Sequence, residues 1–453
     1  MIMSKKWTVH ILNAGQLYGQ QMIRLNPATV KALKLPDTLS LHFGSQKHTV
    51  QIHSTPKQTG IGIPASLASQ LGLKQGMTVC GKYKARTNSL HIGPLIAVMM
   101  SRTYAAEGQP FASNTAFCEE LSEAIRMRGG VVYFITPSNI EKRSHSIQAK
   151  FYQNGWKSGT FPLPDAVYNR LTSRRYEGMR AVKQFIHETK QRGFHVFNEK
   201  YLDKTEVFST LYKDALVHKY MPESHLFKNF TMLKHMLSRH RTVYLKPISG
   251  SLGKGIIRIT KASANKYVCH TSSVNRASRT EYVRLTKCFA AIAGKLKSRK
   301  YQIQQGISLI TVGGRPVDFR ALVQKNNTGK WRVISIVARI AGSDHVVSNL
   351  ARGGTLSKVT YALSHSNLPS SLIARVSSGL KQAAVDISAS LEKHLEEHFA
   401  EFGVDLGVDT SGKVWLIEVN SKPSKNEGTQ LSENRIRPSV RKMVQYIHFI
   451  SGY

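Results

Sequence analysis

Phe402-Gly403-Val404-Asp405-Leu406-Gly407-Val408-Asp409-Thr410-Ser411-Gly412-Lys413-Val414-Trp415-Leu416-Ile417-Glu418-Val419-Asn420 is the stretch on which the fold turns. Two alternating apolar runs flank the turn residues Asp409 to Gly412, the signature of a β-hairpin. Alternation with period two puts Val404, Leu406 and Val408 of one strand on a buried face with Trp415, Ile417 and Val419 of the other. Asp405, Glu418 and Asn420 then share the opposite face. A turn centred between Ser411 and Gly412 sets Asp405 across from Glu418, with Cβ atoms roughly 5 Å apart, a repulsive pair unless a cation lies between them. Carboxylate and amide oxygens suit Mg²⁺, which combines a few protein oxygens with substrate phosphates, so the pattern predicts metal ligands at Asp405, Glu418 and Asn420. An acidic hairpin on a wet surface is the rival reading. It leaves unexplained why an otherwise basic chain gathers its acids there.

A second stretch lies upstream, Val243-Tyr244-Leu245-Lys246-Pro247-Ile248-Ser249-Gly250-Ser251-Leu252-Gly253-Lys254-Gly255-Ile256-Ile257. It reads as an apolar strand ending in a lysine, a small-residue loop, then another apolar strand. Glycines let backbone N–H groups approach phosphate oxygens closely. The spacing is not that of a Walker A loop, and a strand follows rather than a helix. Alone, this stretch is equally well a plain Gly-rich hairpin.

Taken together, the hairpin and the loop resemble the ATP-grasp superfamily, which includes D-alanine–D-alanine ligase and glutathione synthetase, across residues 95–450. The resemblance implies that Lys246 meets the nucleotide phosphates, that Ser249, Gly250, Ser251 and Gly253 form the loop over them, and that Asp405, Glu418 and Asn420 hold Mg²⁺. Asp203-Lys204, opening a helix, is similar to the superfamily's earlier lysine site. Asp318-Phe319-Arg320, Arg339 and Asn349-Leu350-Ala351-Arg352-Gly353-Gly354 resemble the arginines and the Asn/Gly-Gly loop that hold the transferring phosphoryl and acyl groups. This casts Arg320, Arg339, Asn349, Gly353 and Gly354 as catalytic. Gln304-Gln305-Gly306-Ile307 ahead of Asp318, with the repeat described below, resembles more closely the YheC/YheD family of endospore-coat-associated ATP-grasp proteins, over essentially the whole chain. Gln304 or Gln305 stands where the superfamily's hinge usually offers a glutamate to the ribose hydroxyls, and Ile307 completes the hinge.

The resemblance implies a multidomain α+β and α/β chain with an ATP-grasp fold: an α/β layer followed by two α+β subdomains, behind an N-terminal small β-barrel. The expected domains are 1–97, 98–202 and 203–453. It also implies an ATP- and Mg²⁺-dependent carboxylate–amine ligase in the cytoplasm of a sporulating cell, associated with the coat and its proteins. The alternative it leaves open is a non-catalytic, nucleotide-binding or structural coat component whose basic surface docks on polyanions.

Outside these motifs, the first hundred residues repeat. Ile23 to Pro27 recurs as Ile61 to Pro64, Leu33 and Leu35 as Leu71 and Leu73, Leu39 and Leu41 as Met77 and Val79, and Val50 and Ile52 as Leu90 and Ile92. Each unit reads strand, short helix, two strands, so two copies can close one interleaved barrel. Farther on, strands at Leu95–Met99 and Val131–Ile135 alternate with helices near 114–128 and 174–192, an α/β layer. Gly129-Gly130 and Gly193 mark helix ends, and further helices are predicted near 285–296 and 372–399.

The 453 residues carry 64 Lys and Arg against 27 Asp and Glu, a net charge of +37. Such an excess calls for an anionic partner: a nucleotide, an anionic or polymeric substrate, or, less favoured, nucleic acid. No apolar run reaches the ~18 residues of a spanning helix. Cys80, Cys118, Cys269 and Cys288 lack Cys-x-x-Cys spacing, which argues against a zinc site or a disulfide framework. His394-Leu395-Glu396-Glu397-His398 has metalloprotease spacing, but Leu391, Leu395 and Phe399 make it the polar face of an amphipathic helix.

Overall fold

The computed structural model describes residues 5–12, 21–143, 146–248, 255–272, 277–342, 354–425 and 436–453. The N-terminal repeat closes a seven-stranded barrel in the order Lys5–Leu12, Ile61–Pro64, Met22–Leu25, Gln46–Ser54, Thr38–Phe43, Ser89–Gly93, Thr78–Lys84, and back to the first. The two copies interleave: Ile61–Pro64 of the second pairs with Met22–Leu25 of the first, and Ser89–Gly93 runs parallel to Thr38–Phe43. Neither copy could satisfy its own strand edges, and closure removes them. Leu25, Leu39, Leu41, Ile63, Val79, Leu90 and Ile92 fill the inside.

The barrel shares its core with one side of the α/β layer, whose sheet runs Trp156–Phe161, Ile147–Tyr152, Val131–Ile135, Leu95–Met99, Ala166–Asn169, His195–Phe197. Helix Thr115–Arg128 covers the other side together with the C-terminal helix Pro438–Ile450. Gly129 (φ +79°) and Gly193 (φ +78°) take the left-handed backbone expected of them, whereas Gly130 does not. The segment expected as one helix near 174–192 is two, Arg174–Glu177 and Arg180–Gln191, interrupted at Gly178 and Met179.

Two further sheets frame the site. One is antiparallel: Ser224–Leu226, Tyr301–Gln305, Thr242–Pro247, Ile257–Ser263, Lys266–Ser272, Ala277–Tyr282, backed by helices Phe230–Arg239 and Leu285–Ser298. The other runs Thr355–Ser357, Trp331–Ile340, Arg315–Lys325, Glu401–Val408, Val414–Asn420, with helix Ile373–His394 against its apolar face. That helix ends at His394, short of the expected residue 399. His398 therefore lies beyond it, bonded through Nε2 to the Tyr446 hydroxyl at 2.5 Å, and the metalloprotease spacing spans a helix end rather than one helical face.

Candidate functional site

Along Arg315–Lys325, Val317, Phe319, Ala321 and Val323 enter the core beneath the helix, so alternation turns Asp318 and Arg320 to the other face. Strand register then assembles the charges. Asp318 pairs with Arg339, Arg320 with Asp405, and Asp405 with Glu418. Arg339 Nε donates to Asp318 Oδ1 at 2.5 Å, and its Nη2 lies 2.9 Å from Asp405 Oδ2. Arg320 grips the same carboxylate with two prongs, Nη2 to Oδ2 at 2.9 Å and Nε to Oδ1. Burial alone would push the Asp405 carboxyl up, but the two guanidiniums outweigh it and hold it below the usual carboxylate range.

The expected pairing of Asp405 with Glu418 is present, by a route the alternation did not reveal. The hairpin loop is centred on Ser411, with Val408 opposite Val414, and a bulge between Asp405 and Leu406 shifts the register. Asp409 shapes the loop, its Oδ1 accepting from Ser411 N at 2.9 Å and Lys413 N at 3.0 Å. On the turn side of the bulge Val414 and Leu416, rather than Trp415 and Ile417, fill the core; beyond it Val419 does, as expected. An extra residue on one strand reverses which side chains face inward on either side of it.

Lys204 opens helix Lys204–Leu211, whose N-cap Asp203 accepts from Glu206 N at 2.8 Å, and its Nζ reaches Glu418 Oε1 at 3.1 Å. Lys246 comes from the antiparallel sheet. Its buried ammonium donates to Gln304 Oε1; Gln304 Nε2 donates to Ser224 Oγ at 2.9 Å, and Ser224 to the Pro222 carbonyl at 3.0 Å. This chain of donors fixes which way the Gln304 amide points. Burial, with Lys204 adding to it and Glu418 opposing, pulls the Lys246 pKa down to about 8. Among the described residues Lys246 has no carboxylate directly bonded to it. Gln305 holds the neighbouring strand, its Oε1 accepting from Glu223 N at 3.2 Å, and Ile307 is half-buried just after the sheet.

The structure thus brings Lys204, Lys246, Arg320, Arg339, Asp405 and Glu418 within reach of one another, with Gln304 behind Lys246. Asn420 pairs with Gly403 at the far end of the hairpin, and Gly354 precedes the strand paired to Arg339. Ser249, Gly250, Ser251, Gly253, Asn349 and Gly353 lie outside the described residues. Sequence reading left out Asp318 and Ser224 as site residues. The alternation around Arg320 could have supplied Asp318, whereas Ser224 sits on a three-residue strand recruited only by tertiary pairing. Among the described residues, Lys204, Lys246, Arg320 and Arg339 gather around Asp318, Asp405 and Glu418. Two carboxylates and an amide are the hard oxygen donors that Mg²⁺ favours; guanidiniums hold both Asp405 oxygens, and the Glu418 side chain keeps 30% of its surface exposed. No set of three or more His, Cys, Asp and Glu side chains suited to a metal occurs among the described residues.

A family model for YheC/D-like ATP-grasp proteins matches residues 193–450. The chain belongs to this family. Endospore coat-associated protein YheD of Bacillus subtilis (strain 168) is 29% identical over 345 residues, covering 75% of this chain and 74% of YheD. YheC of the same organism is 21% identical over 301 residues, covering 66% of this chain and 82% of YheC. Among solved structures, the ATP-grasp ligase PsnB with a minimal precursor aligns over 78% of this YheC/D-like chain and 99% of its own, at 11% identity and a TM-score of 0.46. No helix among the described residues of this family member is long and apolar enough to cross a membrane.

Proposed function

We propose that this protein is an ATP- and Mg²⁺-dependent carboxylate–amine ligase acting in association with the endospore coat. One observation carries the reading: Lys246 is a buried cation held by a neutral amide and, among the described residues, bonded to no carboxylate, which suits an entering polyphosphate. Lys246 and Lys204 would orient the phosphates, Ser249, Gly250, Ser251 and Gly253 would cover them, and Gln304, Gln305 and Ile307 would border the nucleoside. Asp405, Glu418 and Asn420 would hold Mg²⁺, which when bound supplies positive charge against the phosphates.

In the proposed reaction a substrate carboxylate oxygen attacks the γ-phosphorus, the bond to the β-bridging oxygen breaks, and an acyl phosphate and ADP result. An amine then attacks the acyl carbon, loses a proton and expels phosphate, leaving an amide. Arg320 and Arg339, with Asn349, Gly353 and Gly354, would stabilise the charge spread over the transferring group, a task of positioning and electrostatics. The substrates are an anionic carboxylate, small or polymeric, and an amine.

The engagement of both Asp405 oxygens by guanidiniums favours a second reading, a non-catalytic coat component with these charges locked in place. Calorimetric titration of nucleic-acid-free protein with a non-hydrolysable ATP analogue, with and without Mg²⁺ and beside Glu418→Gln, separates the two. The ligase reading expects Mg²⁺-dependent binding that the variant loses, followed by ADP release with the right carboxylate and amine. Failure to bind in every condition overturns it in favour of the second.

A further inference from the structure

The outer face of the barrel carries a feature that the ligase reading does not use. Both repeats contain Ser-Leu-His, as Ser40-Leu41-His42 and Ser89-Leu90-His91, and the parallel pairing of their strands sets Ser40 beside Ser89 and His42 beside His91. The intervening Leu41 and Leu90 are fully buried in the barrel, so the serines and histidines lie on its outer side, where Ser40, His42 and His91 are partly exposed and Ser89 is covered. The flanking strands extend this into two rows across four adjacent strands. One row is Lys47, His42, His91, Lys82; the next is Thr49, Ser40, Ser89, Lys84. At ordinary strand spacing each row spans about 14 Å, and the rows lie about 7 Å apart.

The rows are built rather than accidental neighbours. The imidazoles of His42 and His91 lie with ring centroids 4.5 Å apart. Ser40 Oγ sits 2.8 Å from His42 Nε2 and Ser89 Oγ 3.0 Å from His91 Nε2, while Thr87 Oγ1 is 2.7 Å from Ser89 Oγ. The serines take up Nε2 of each ring and leave Nδ1 as its remaining polar atom. Burial, then the neighbouring lysines, lower the pKa of both histidines, that of His91 to about 4, so both rings are neutral at pH 7. Lys82 donates to the Gly452 carbonyl at 2.6 Å. Asp37 is the single acid among residues 1–100, and Asp165, whose field reaches Lys84, is held by the Leu95 N–H at 2.7 Å.

A patch of ammonium groups, hydroxyls and imidazole N–H donors with no acid in either row repels metal cations and offers only complementarity to an anion. Both rows lack an aromatic platform on which a base could stack. We propose that this face binds phosphate oxyanions, with the paired histidines donating hydrogen bonds at its centre and Lys47, Lys82 and Lys84 supplying the charge. Free phosphate and the phosphodiester backbone of a nucleic acid present the same oxygens.

The full-length protein, freed of nucleic acid, tests this at fixed salt through two probes: inorganic phosphate, followed by the histidine ring NMR signals, and a labelled oligothymidylate, followed by anisotropy. Both probes should shift the His42 and His91 rings if the backbone of a nucleic acid is the source, and inorganic phosphate alone if the source is free phosphate. His42→Phe/His91→Phe, which removes no charge at pH 7, should weaken binding about tenfold, the scale of a hydrogen bond to a charged group. His42→Asn/His91→Asn, which restores an N–H donor, should recover part of that loss. Lys47→Ala/Lys84→Ala should lose more than the charge-matched Lys31→Ala/Lys57→Ala elsewhere on the barrel. Equal losses in the two lysine pairs, or rings in the wild-type protein that respond to neither probe, overturn the proposal even where a variant fails to fold.

Discussion

Glu401 and Asp405 stand four residues apart on one strand and one face, both buried and both surrounded by cations, yet their surroundings serve different ends. Glu401 is wholly enclosed. Its carboxylate accepts from Tyr168, from Gln324 Nε2 at 3.0 Å and from Lys425, with Arg170 Nη1 at 3.3 Å, so groups from the α/β layer and the segment after the hairpin converge on it. Asp405 is matched from its own sheet by Arg320 and Arg339, and its strand partner Glu418 stays partly open. Gly403 lies between them, where a Cβ would come within 3.1 Å of Pro423 Cβ and 3.6 Å of the Arg320 side chain. A closed set of charges fastens two layers together. An open set, in which Lys246 meets a neutral amide rather than a carboxylate among the described residues, can exchange partners with a ligand.

Breaking each set should therefore produce different losses. The largest effect is expected at Arg339: with the ligase reading, Arg339→Ala lowers turnover about a thousandfold or more while analogue binding largely survives, as calorimetry and an ADP-release assay would report. Unchanged turnover would remove Arg339 from the chemistry. Next comes Glu401→Ala, which strands Arg170 and Lys425 in the interior. Truncating one partner of a buried ion pair costs about 3–5 kcal/mol, measurable by urea unfolding. Burial raises the Glu401 carboxyl, but Lys425 and Arg170 outweigh it and hold it below the usual range. A depressed folded-state value adds stability above the unfolded pKa that is lost as pH falls through the folded one, so Glu401→Gln and wild type should converge in acid.

A third expectation concerns Lys246. With its pKa near 8, the free site loses its ammonium as pH rises, so analogue affinity should fall by up to about tenfold per unit above pH 8. Lys246→Met should bind weakly with that slope abolished; a wild-type affinity flat to pH 10 would contradict the assignment. The smallest effect belongs to Gln304→Glu. A carboxylate there would pair with Lys246, move the break in the pH profile upward and weaken analogue binding severalfold, because the cation would already be bonded to an anion. A profile identical to wild type would show that Gln304 does not govern Lys246.

How much of this was legible in the sequence follows from the range of each interaction. The barrel's repeat and the strands Leu95–Met99 and Val131–Ile135 were readable because side-chain alternation and turn residues act over a few positions, whereas Asp405 faces Glu418 only because a bulge offsets a loop centred half a residue from the expected turn. Local signals could not reveal the hairpin bulge, which moved Trp415 and Ile417 out of the core and Val414 and Leu416 into it. Nor could they reveal that the helix before Asp405 stops at His394.

The sequence by itself determined which chemical groups the two sheets and the barrel offer: hard oxygens on one hairpin, a strand lysine, two arginines, and a doubled Ser-Leu-His. Only the tertiary structure decided which of them meet. Lys246 is 58 residues from its Gln304 partner and Arg320 is 85 from Asp405. Charges so far apart in the chain become neighbours only when strand register, set by the burial of the apolar face beneath them, brings their strands side by side.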